Sequence, residues 1–487
     1  MGVSAKYIRI LKDLYGKAHI RIKTPEGLTD RIDITEGVLQ GEILSPLLFI
    51  LFIADMEEYF REEGLYGTSL NILTDVLLLL YADDLAIIAN NKADVAKKLK
   101  ILHKYCEKNG LTVNVDKSYI LYCRKAGKIP KNLKFYYNAK NIEIVSNLTY
   151  LGIPISASGR GRLAMTSAIS KARTAIGAVN TVIYKARMYD FDSINTLFDS
   201  MISSIALYAA PVWALRYINE IDSLTTEFYK KILCIKRTTP NNLVKYETNR
   251  IDLAYNIWKL TWGWIVKVLK MEENRYPLLC LKKQIELYKS GYESSEYNWF
   301  TEVGKFIKAI DERYMCVLDS FDGKEWERVG KILLRKYKQT LTDKIKAQVN
   351  RIAYLETPDL YNKPSNQYLH SKVPLKIKKV MAQLRTANNY GFSLYVNKKV
   401  NKFNPFEPCP TCQDGAFDTL KHFLMECPLY RDIRGKFVNN INVTINNLNV
   451  VEVCQMNNPI QLNKIYVYVE QLCRLRELRI SNNNILD

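Results

Sequence analysis

Two adjacent carboxylates stand between two apolar runs, in the stretch Leu80-Tyr81-Ala82-Asp83-Asp84-Leu85-Ala86-Ile87-Ile88. Both runs have the composition of buried strands, so the acids are predicted to lie at the tight turn of a hairpin. Carboxylates that leave water need a cation or strong hydrogen-bond donors, and Mg²⁺ prefers oxygen ligands. Two such ions catalyse phosphoryl transfer by activating a hydroxyl and stabilising the leaving pyrophosphate. The alternative is an ordinary hairpin turn, where Asp-Gly or Asn-Gly is commoner.

A second group of residues has the spacing of a zinc site. Two residues separate Cys409 from Cys412, nine separate Cys412 from His422, and four separate His422 from Cys427. Three thiolates and an imidazole at such spacing suit tetrahedral Zn²⁺. With four protein ligands the metal is predicted to be structural, and residues 401–440 are expected to fold when zinc is added. The alternative is three unrelated thiols beside a histidine.

The carboxylate hairpin is expected to lie in an α+β region. The first fifteen residues have helical periodicity, and residues 18–34 alternate as two short strands around a turn. After the hairpin, a Lys-rich helix is predicted over Lys92–Asn109, followed by strands near Thr112–Cys123 and Ile142–Ile155. These elements would surround the two acids with a small sheet and its covering helices.

Strand signals fade beyond Arg160, and amphipathic helices are predicted instead. Examples are Ala164–Tyr184 and Glu325–Asn350, each with Lys and Arg on its polar face. The Asn-rich stretches Asn439–Asn449 and Asn482–Asn484 are predicted to be loop or tail. The second half of the chain is therefore expected to be mostly α-helical.

The overall charge points to a polyanionic partner. Lys and Arg number 70 against 50 Asp and Glu, which gives a net charge of +20. Nucleic acid is the commonest partner of so basic a protein, although a basic protein without one is the alternative. Scattered cysteines and the lack of a secretory leader indicate an intracellular protein of the cytoplasm or nucleus. The longest apolar runs are too short to cross a membrane.

Further segments surround the acids in a fixed order. Upstream stands Gly37-Val38-Leu39-Gln40-Gly41-Glu42-Ile43-Leu44-Ser45-Pro46-Leu47-Leu48-Phe49, and downstream come Gly110-Leu111, Asn114, Lys117-Ser118 and Tyr150-Leu151-Gly152. In this order and spacing they resemble reverse transcriptase motifs B, C, D and E of non-LTR (LINE-type) retrotransposons. The resemblance covers residues 1–155 well and extends loosely through Leu207–Trp213, which is similar to that family's thumb.

The resemblance implies roles for individual residues. Asp83 and Asp84 would bind Mg²⁺ or Mn²⁺ in the palm of a right-hand polymerase. Lys117 would protonate the leaving pyrophosphate, unless it is simply a surface lysine on a strand. The remaining roles are at the nascent base pair (Gln40, Gly41 and Tyr81) and at the primer-grip hairpin (Tyr150, Leu151 and Gly152). RNA template and DNA primer would be the partners.

The family's third palm carboxylate, in motif A, is expected upstream of Met1 together with the fingers. Asp33 and Glu36 are the nearest upstream acids, but Asp33 is predicted on a hairpin before motif B and not beside motif C. The chain is therefore expected to be a truncated copy, or to start at an internal Met. As it stands it is expected to be inactive and prone to aggregate at an open sheet edge.

The expected architecture is α+β: a truncated reverse transcriptase palm, a helical thumb and connector, and a small zinc module that resembles the CCHC segment of non-LTR elements. The predicted boundaries are palm 1–155, thumb 156–270, basic connector 271–400, CCHC module 401–440 and tail 441–487. Three functions remain open at this point: an RNA-directed DNA polymerase, a non-catalytic nucleic-acid-binding remnant, or an inert relic. Whether the zinc module binds nucleic acid is also open.

Overall fold

A computed structural model describes the chain at residues 3–34, 37–38, 41–71, 74–124, 127–130, 132–291, 298–352, 366–387, 391–412, 414–441 and 449–483. The chain divides into two compact units. The first comprises Met1–Ile120 with Ile129–Ile144, and the second Leu121–Lys128 with Val145–Asp487. Helices and small antiparallel sheets occur together in the described residues, which confirms an α+β fold.

The first unit mixes helices with short strands. Its described helices are α1 (Ala5–Gly16), α2 (Ser45–Phe52), α3 (Met56–Glu62) and α4 (Lys92–Lys108). Its strands form the hairpin pairs β1 (His19–Ile20) with β4 (Ile32–Asp33), β2 (Lys23–Thr24) with β3 (Gly27–Leu28), β5 (Thr68–Ser69) with β6 (Asp75–Val76), and β7 (Leu78–Tyr81) with β8 (Asp84–Ile87). In a further sheet, β11 (Lys140–Val145) lies between β9 (Tyr119–Leu121) and β10 (Phe135–Tyr137).

The core of the first unit is built on α3 and α4. Apolar residues recur along α4 at three- and four-residue intervals, which places them on one face of the helix. The buried set is Ile53, Met56, Phe60, Leu65, Leu77, Leu78, Ile101, Leu102, Tyr105, Cys106, Tyr137 and Ile142. This core holds the start of β7, the strand that leads to the two acids.

The second unit is mostly helical. Its described helices are α5 (Arg162–Lys185), α6 (Phe191–Leu197), α7 (Ser204–Ala206), α8 (Ala210–Trp213), α9 (Ile218–Ile232), α10 (Asn241–Thr248), α11 (Leu253–Leu269), α12 (Tyr276–Lys289), α13 (Phe300–Asp311), α14 (Gly323–Ile352), α15 (Gln367–His370), α16 (Leu375–Arg385), α17 (Arg431–Ile441), α18 (Val450–Gln455) and α19 (Pro459–Asn483). Two hairpins accompany them: β12 (Asn147–Tyr150) with β13 (Ile153–Ser156), and β14 (Phe392–Val396) with β15 (Lys399–Phe403).

One hydrophobic core runs through this unit from α5 to α19. On α5 the buried residues follow a three- and four-residue spacing: Ala164, Met165, Ile169, Ala172, Ile176, Val179 and Ile183. The domain boundaries predicted at residues 155, 270, 400 and 440 stay predictions. The hydrophobic core of this unit includes residues on both sides of 270, 400 and 440, so it does not divide at these positions.

The prediction of a C-terminal tail from residue 441 is wrong for residues 459–483. These residues form α19, whose Leu462, Ile465, Val469 and Leu472 are fully buried in the core. Asn439–Ile441 likewise belong to α17, and residues 442–448 and 484–487 lie outside the described residues. Asn has a low helix propensity, but burial of an apolar face outweighs that preference.

No single described helix is both long and apolar enough to cross a membrane. A bent pair, Phe191–Ala206 and Ala210–Arg216, meets that test jointly, by length and composition alone, with a bend of 47°.

A buried ion pair joins distant parts of the second unit. The Arg385 guanidinium donates to Glu247 Oε1 at 2.7 Å, and both side chains are almost completely buried. The Tyr368 hydroxyl donates to the same oxygen at 2.6 Å, and Arg385 also donates to the carbonyl of Cys454 at 2.7 Å. This network ties α10 to α15, α16 and α18.

Glu247→Ala is expected to lower the free energy of unfolding by about 3 kcal/mol, because it leaves the Arg385 guanidinium buried without its counter-ion. Urea denaturation followed by circular dichroism measures the loss. The matched control is Glu286→Ala, which removes the exposed partner of Lys283 at 3.1 Å. That exposed pair is expected to contribute under about 1 kcal/mol. Equal losses in the two variants would show that the buried pair does not stabilise the unit.

Candidate active site and metal centre

The hairpin β7–β8 carries the two adjacent acids, as the sequence predicts. Tyr81 pairs with Asp84, so the turn itself consists of Ala82 and Asp83. Ala82 has a φ of 51°, in the left-handed region that tight hairpins use. Asp83 therefore lies in the turn, and Asp84 is the first residue of the return strand. Both carboxylates are exposed.

Neither carboxylate has a hydrogen bond or ion pair with another described residue. No third acid or histidine joins them within the described ranges. Asp33 is instead paired with Arg31 at 2.6 Å, and Glu36 is outside the described residues. Asp83 and Asp84 thus present oxygen ligands to the solvent, as a Mg²⁺ ion requires, but they supply only part of a two-ion site.

A buried lysine anchors the end of β8. The Lys98 side chain on α4 is fully buried, and its ammonium donates to the carbonyl of Ile88 at 2.7 Å and to Asp94 at 2.9 Å. The amide of Ile88 donates in turn to the carbonyl of Leu77 at 3.0 Å. The acidic turn therefore projects from strands whose base is fixed to the core. The burial of Lys98 was not predicted from the sequence, because α4 contains several lysines and nothing in the sequence distinguishes this one.

Apolar side chains around the acidic hairpin remain in contact with water. Leu79 and Leu80 of β7 are each 38% exposed, and Tyr81 is 63% exposed. Helix α1 buries none of its residues. Among the described residues β7 and β8 pair only with each other. The first unit thus presents an apolar surface beside its two acids.

The glycine-rich segment upstream of α2 is described only in part. Gly41 lies in a turn with φ 93°, and a Cβ there would meet nothing within 4 Å. Gln40 lies outside the described residues. Ser45 is buried and begins α2, with Pro46 in the first turn. The Ser45 hydroxyl donates to the Glu42 carboxylate at 3.0 Å and does not cap the helix. The Tyr15 hydroxyl donates to the same carboxylate, and this hydrogen bond raises the pKa of Tyr15.

Lys117 does not lie on a strand as predicted. It ends a short 3₁₀ turn, Val115–Lys117, which precedes β9, and its side chain is exposed. Asn114 holds this turn by accepting from the Lys117 amide at 3.2 Å. Asn114 explains why Lys117 lies in a turn, because a side-chain carbonyl that caps a turn competes with the hydrogen bonds of strand pairing.

The predicted primer-grip residues form the turn of the hairpin β12–β13. Tyr150 pairs with Ile153, and Leu151 and Gly152 both have positive φ, 48° and 79°. This is the backbone of a type I′ hairpin. The Tyr208 hydroxyl donates to the carbonyl of Leu151 at 3.0 Å. Beside this contact is an apolar cavity of about 340 Å³ with Lys171 at its edge. The Tyr208 contact was not foreseen from the sequence.

The four zinc candidates come together in the second unit. Their ligand atoms all lie within 4.8 Å of one another, and Cys412 Sγ is 3.3 Å from His422 Nε2. Bond lengths of about 2.3 Å to sulfur and 2.0 Å to nitrogen place tetrahedral ligands some 3.5–3.8 Å apart. Cys409, His422 and Cys427 are buried, so the donor set and its burial fit a structural zinc ion.

The thiols of this cluster compete for protons. A hydrogen bond from Cys427 lowers the pKa of Cys409. The same bond, together with burial, raises the pKa of Cys427, and burial raises that of Cys412. A divalent cation would replace the thiol protons and balance the charge of all three sulfurs.

The zinc candidates are embedded in the core of the second unit. Phe423, next to His422, packs on Phe403 of β15 with ring centroids 4.7 Å apart. Arg476 of α19 forms a buried pair with Asp418 at 2.6 Å. The hydroxyl of Tyr468, also on α19, donates to the carbonyl of Leu424. Residues 401–440 therefore take part of their packing from α19.

Comparison with known proteins places the acidic hairpin in a recognised domain. Residues 3–155 match the family model described as "Reverse transcriptase (RNA-dependent DNA polymerase)". A Retrovirus-related Pol polyprotein from type-1 retrotransposable element R2 of Popillia japonica is 28% identical over 137 residues, 27% of this chain. An RNA-directed DNA polymerase from mobile element jockey of Drosophila funebris is 23% identical over 219 residues, 43% of this chain. The matches span 22% and 23% of the lengths of these relatives.

Proposed function

We propose that the chain, whose residues 3–155 match the reverse transcriptase family model, is part of a non-LTR retrotransposon protein and takes part in RNA-directed DNA synthesis. The reaction is nucleotidyl transfer to a DNA primer on an RNA template, by a two-metal mechanism. The observation that carries the proposal is the position of Asp83 and Asp84, exposed and unpartnered among the described residues, on a hairpin inside the matched segment.

The two carboxylates are the residues of this chain that would hold Mg²⁺ or Mn²⁺. Such ions, when bound, activate the primer hydroxyl and stabilise the leaving pyrophosphate. Asp83 and Asp84 contribute oxygen ligands, and their fixed strands keep those oxygens in place. A third carboxylate is needed to balance the charge, and none joins the two acids among the described residues.

The other predicted site residues have supporting roles in this proposal. Gly41 presents bare backbone to the nascent base pair, with Tyr81 beside the acids and Gln40 as a further contact. Lys117, which is exposed, donates a proton to the leaving pyrophosphate. The turn of β12–β13, with Tyr150, Leu151 and Gly152, holds the primer, and Tyr208 supports that turn through the Leu151 carbonyl.

For Cys409, Cys412, His422 and Cys427 we propose one structural Zn²⁺. Four protein ligands leave no open coordination position, so the ion would stabilise the fold and take no part in phosphoryl transfer. The burial of three of the ligands supports this role. Contact of this region with nucleic acid is not needed for the proposal.

A second candidate function is nucleic-acid binding without catalysis. It is favoured by the lack of a third acid beside Asp83 and Asp84 in the described residues, together with the net charge of +20. In that case the thumb and connector would bind RNA or DNA through Lys and Arg side chains. The two candidates differ in whether any form of the protein incorporates nucleotides.

The test is primer extension on poly(rA)/oligo(dT) with Mg²⁺ or Mn²⁺, using the chain joined to an N-terminal segment that supplies the fingers and the third carboxylate. Incorporation of dTMP that EDTA abolishes is expected, because the metal balances the charge that develops on the phosphates. An all-DNA template of the same sequence is the comparison for template preference. Binding of the primer–template without any incorporation would contradict the polymerase and favour the second candidate.

A further inference from the structure

A basic groove lies at the C-terminal end of α5, within the second unit. One wall is the end of α5 and the turn after it, with Tyr184, Arg187 and Tyr189. The other wall is the start of α16, with Lys372, Lys376 and Lys379. The basic groove, defined by these six residues, encloses about 640 Å³, which is within the range of ligand-binding clefts.

A buried lysine holds the two walls together. Lys378 of α16 is 1% exposed, and its ammonium donates to the carbonyl of Tyr189 at 2.7 Å and to that of Leu369. Burial lowers the pKa of Lys378 to about 8. Arg187 has a φ of 48°, the left-handed turn that ends α5. The shape of the basic groove is therefore set by core contacts and does not depend on its surface side chains.

The basic groove is cationic, and no acid lines it among the residues that the structure describes. Arg187, Lys372 and Lys379 have no ion pair with any residue that the structure describes. The Lys376 ammonium lies 4.7 Å from the centre of the Tyr466 ring. The nearest acids in the sequence face the buried Lys378, whose pKa they raise: Asp190 also accepts from the Ser193 amide at 2.8 Å, and Asp192 pairs with His370 at 3.1 Å. The four basic side chains of the basic groove therefore have no carboxylate partner among the described residues.

Two tyrosines that line the basic groove beside its Lys and Arg side chains are exposed to solvent. Tyr184 is 83% exposed and Tyr189 is 50% exposed. An inorganic anion would give these rings nothing to pack against. An unpaired base stacks on an aromatic ring while its phosphate pairs with a lysine or arginine. The combination therefore favours a single-stranded nucleic acid, whose bases are free to stack.

The basic groove is separate from the predicted primer grip. The turn of β12–β13 lies beside the start of α5, where Gly152 and Ala168 line one cavity. The sixteen residues from Ala168 to Tyr184 correspond to about 24 Å along the helix. A strand in the basic groove would thus contact the protein at a second point, away from the hairpin.

We propose that the basic groove is a binding site for single-stranded RNA or DNA, with bases stacked on Tyr184 and Tyr189 and phosphates paired with Arg187, Lys372, Lys376 and Lys379. The proposal deepens the proposed function, since it rests on a nucleic-acid partner. It concerns a segment of template or primer that is unpaired. Because binding requires neither Mg²⁺ nor nucleotides, its outcome is independent of whether the protein polymerises DNA.

The experiment measures binding of the whole chain to fluorescent oligo(U) and to a duplex of equal length, by anisotropy over a range of salt concentrations. Lys372→Gln with Lys376→Gln is expected to reduce the slope of log K against log salt by about 0.7 for each lost phosphate contact. Tyr184→Ala is expected to weaken oligo(U) binding about 5-fold or more, with the slope and the duplex affinity unchanged.

The matched controls lie outside the basic groove. Lys92→Gln with Lys100→Gln removes two exposed lysines of α4, outside the predicted thumb and connector, and Tyr66→Ala removes a ring that is 70% exposed. Both controls are expected to retain wild-type affinity. Equal losses in the groove and control variants, or no effect of Tyr184→Ala, would overturn the proposal. So would competition by polyglutamate as effective as that by unlabelled oligo(U), which would indicate an acidic peptide.

Discussion

The 487-residue chain by itself is expected to extend a DNA primer on RNA more than about 10³-fold more slowly than the same chain joined to a segment that supplies the fingers and the third palm carboxylate. Phosphoryl transfer depends on positioning and on charge stabilisation. Loss of one well-placed stabilising group typically costs a factor of about 10²–10³. Among the described residues, Asp83 and Asp84 have no third acid beside them at the hairpin.

The measurement compares initial rates of primer extension for the two proteins at equal concentration and saturating Mg²⁺. In the joined protein, Asp83→Asn is expected to lower the rate by about 10²–10³, because an amide cannot balance the charge of the metal. The control is Asp30→Asn, an exposed acid of the same unit that lies outside the hairpin. Extension by the 487-residue chain that disappears with Asp83→Asn would show that it already holds a complete site.

Removal of zinc is expected to unfold the C-terminal part of the second unit. In zinc-finger peptides the metal contributes about 10–16 kcal/mol, as much as the whole stability of a typical domain at about 5–15 kcal/mol. Without the ion, three sulfurs lie together in a buried cluster. Cys427→Ser is therefore expected to release the zinc, expose the core around Phe423 and Tyr430, and lower the midpoint of urea denaturation.

The whole chain is the right subject for this test, since α19, which lies outside residues 401–440, supplies part of the packing around the ligands. Zinc content is measured by mass spectrometry, and stability by urea denaturation with and without a chelator. Cys316→Ser removes an exposed thiol of the same unit and is the control, expected to keep one zinc and full stability. A Cys427→Ser protein that retains zinc and its denaturation midpoint would rule out this ligand set.

Local features were predictable from the sequence because they depend on neighbouring residues. The strand–turn–strand around Asp83 and Asp84 and the helix Lys92–Lys108 are present where periodicity and turn residues indicate them. Residue-level details within them were less predictable. The turn consists of Ala82 and Asp83 rather than the two acids, and Lys117 lies in a 3₁₀ turn.

The spacing of Cys409, Cys412, His422 and Cys427 identified a set of side chains that the structure brings together. Spacing succeeds here because two short loops suffice to gather the ligands around one point. It did not reveal that Arg476 and Asp418, 58 residues apart, fix those loops to α19. The composition of the sequence also suggested a tail where the structure has the buried helix α19. The Asn-rich stretches on either side of this helix give no information about its apolar face.

By itself, then, the sequence determined which residues could do chemistry: the acids of the hairpin and the four side chains of the Cys–His cluster. Only the tertiary structure decided what surrounds them. The contact of Tyr208 with Leu151 spans 57 residues, and that of Lys378 with Tyr189 spans 189. The basic groove exists only because such contacts bring α5 and α16 together. Periodicity indicates on which face of its own helix or strand a residue lies. Which other element packs against that face depends on the packing of the whole core.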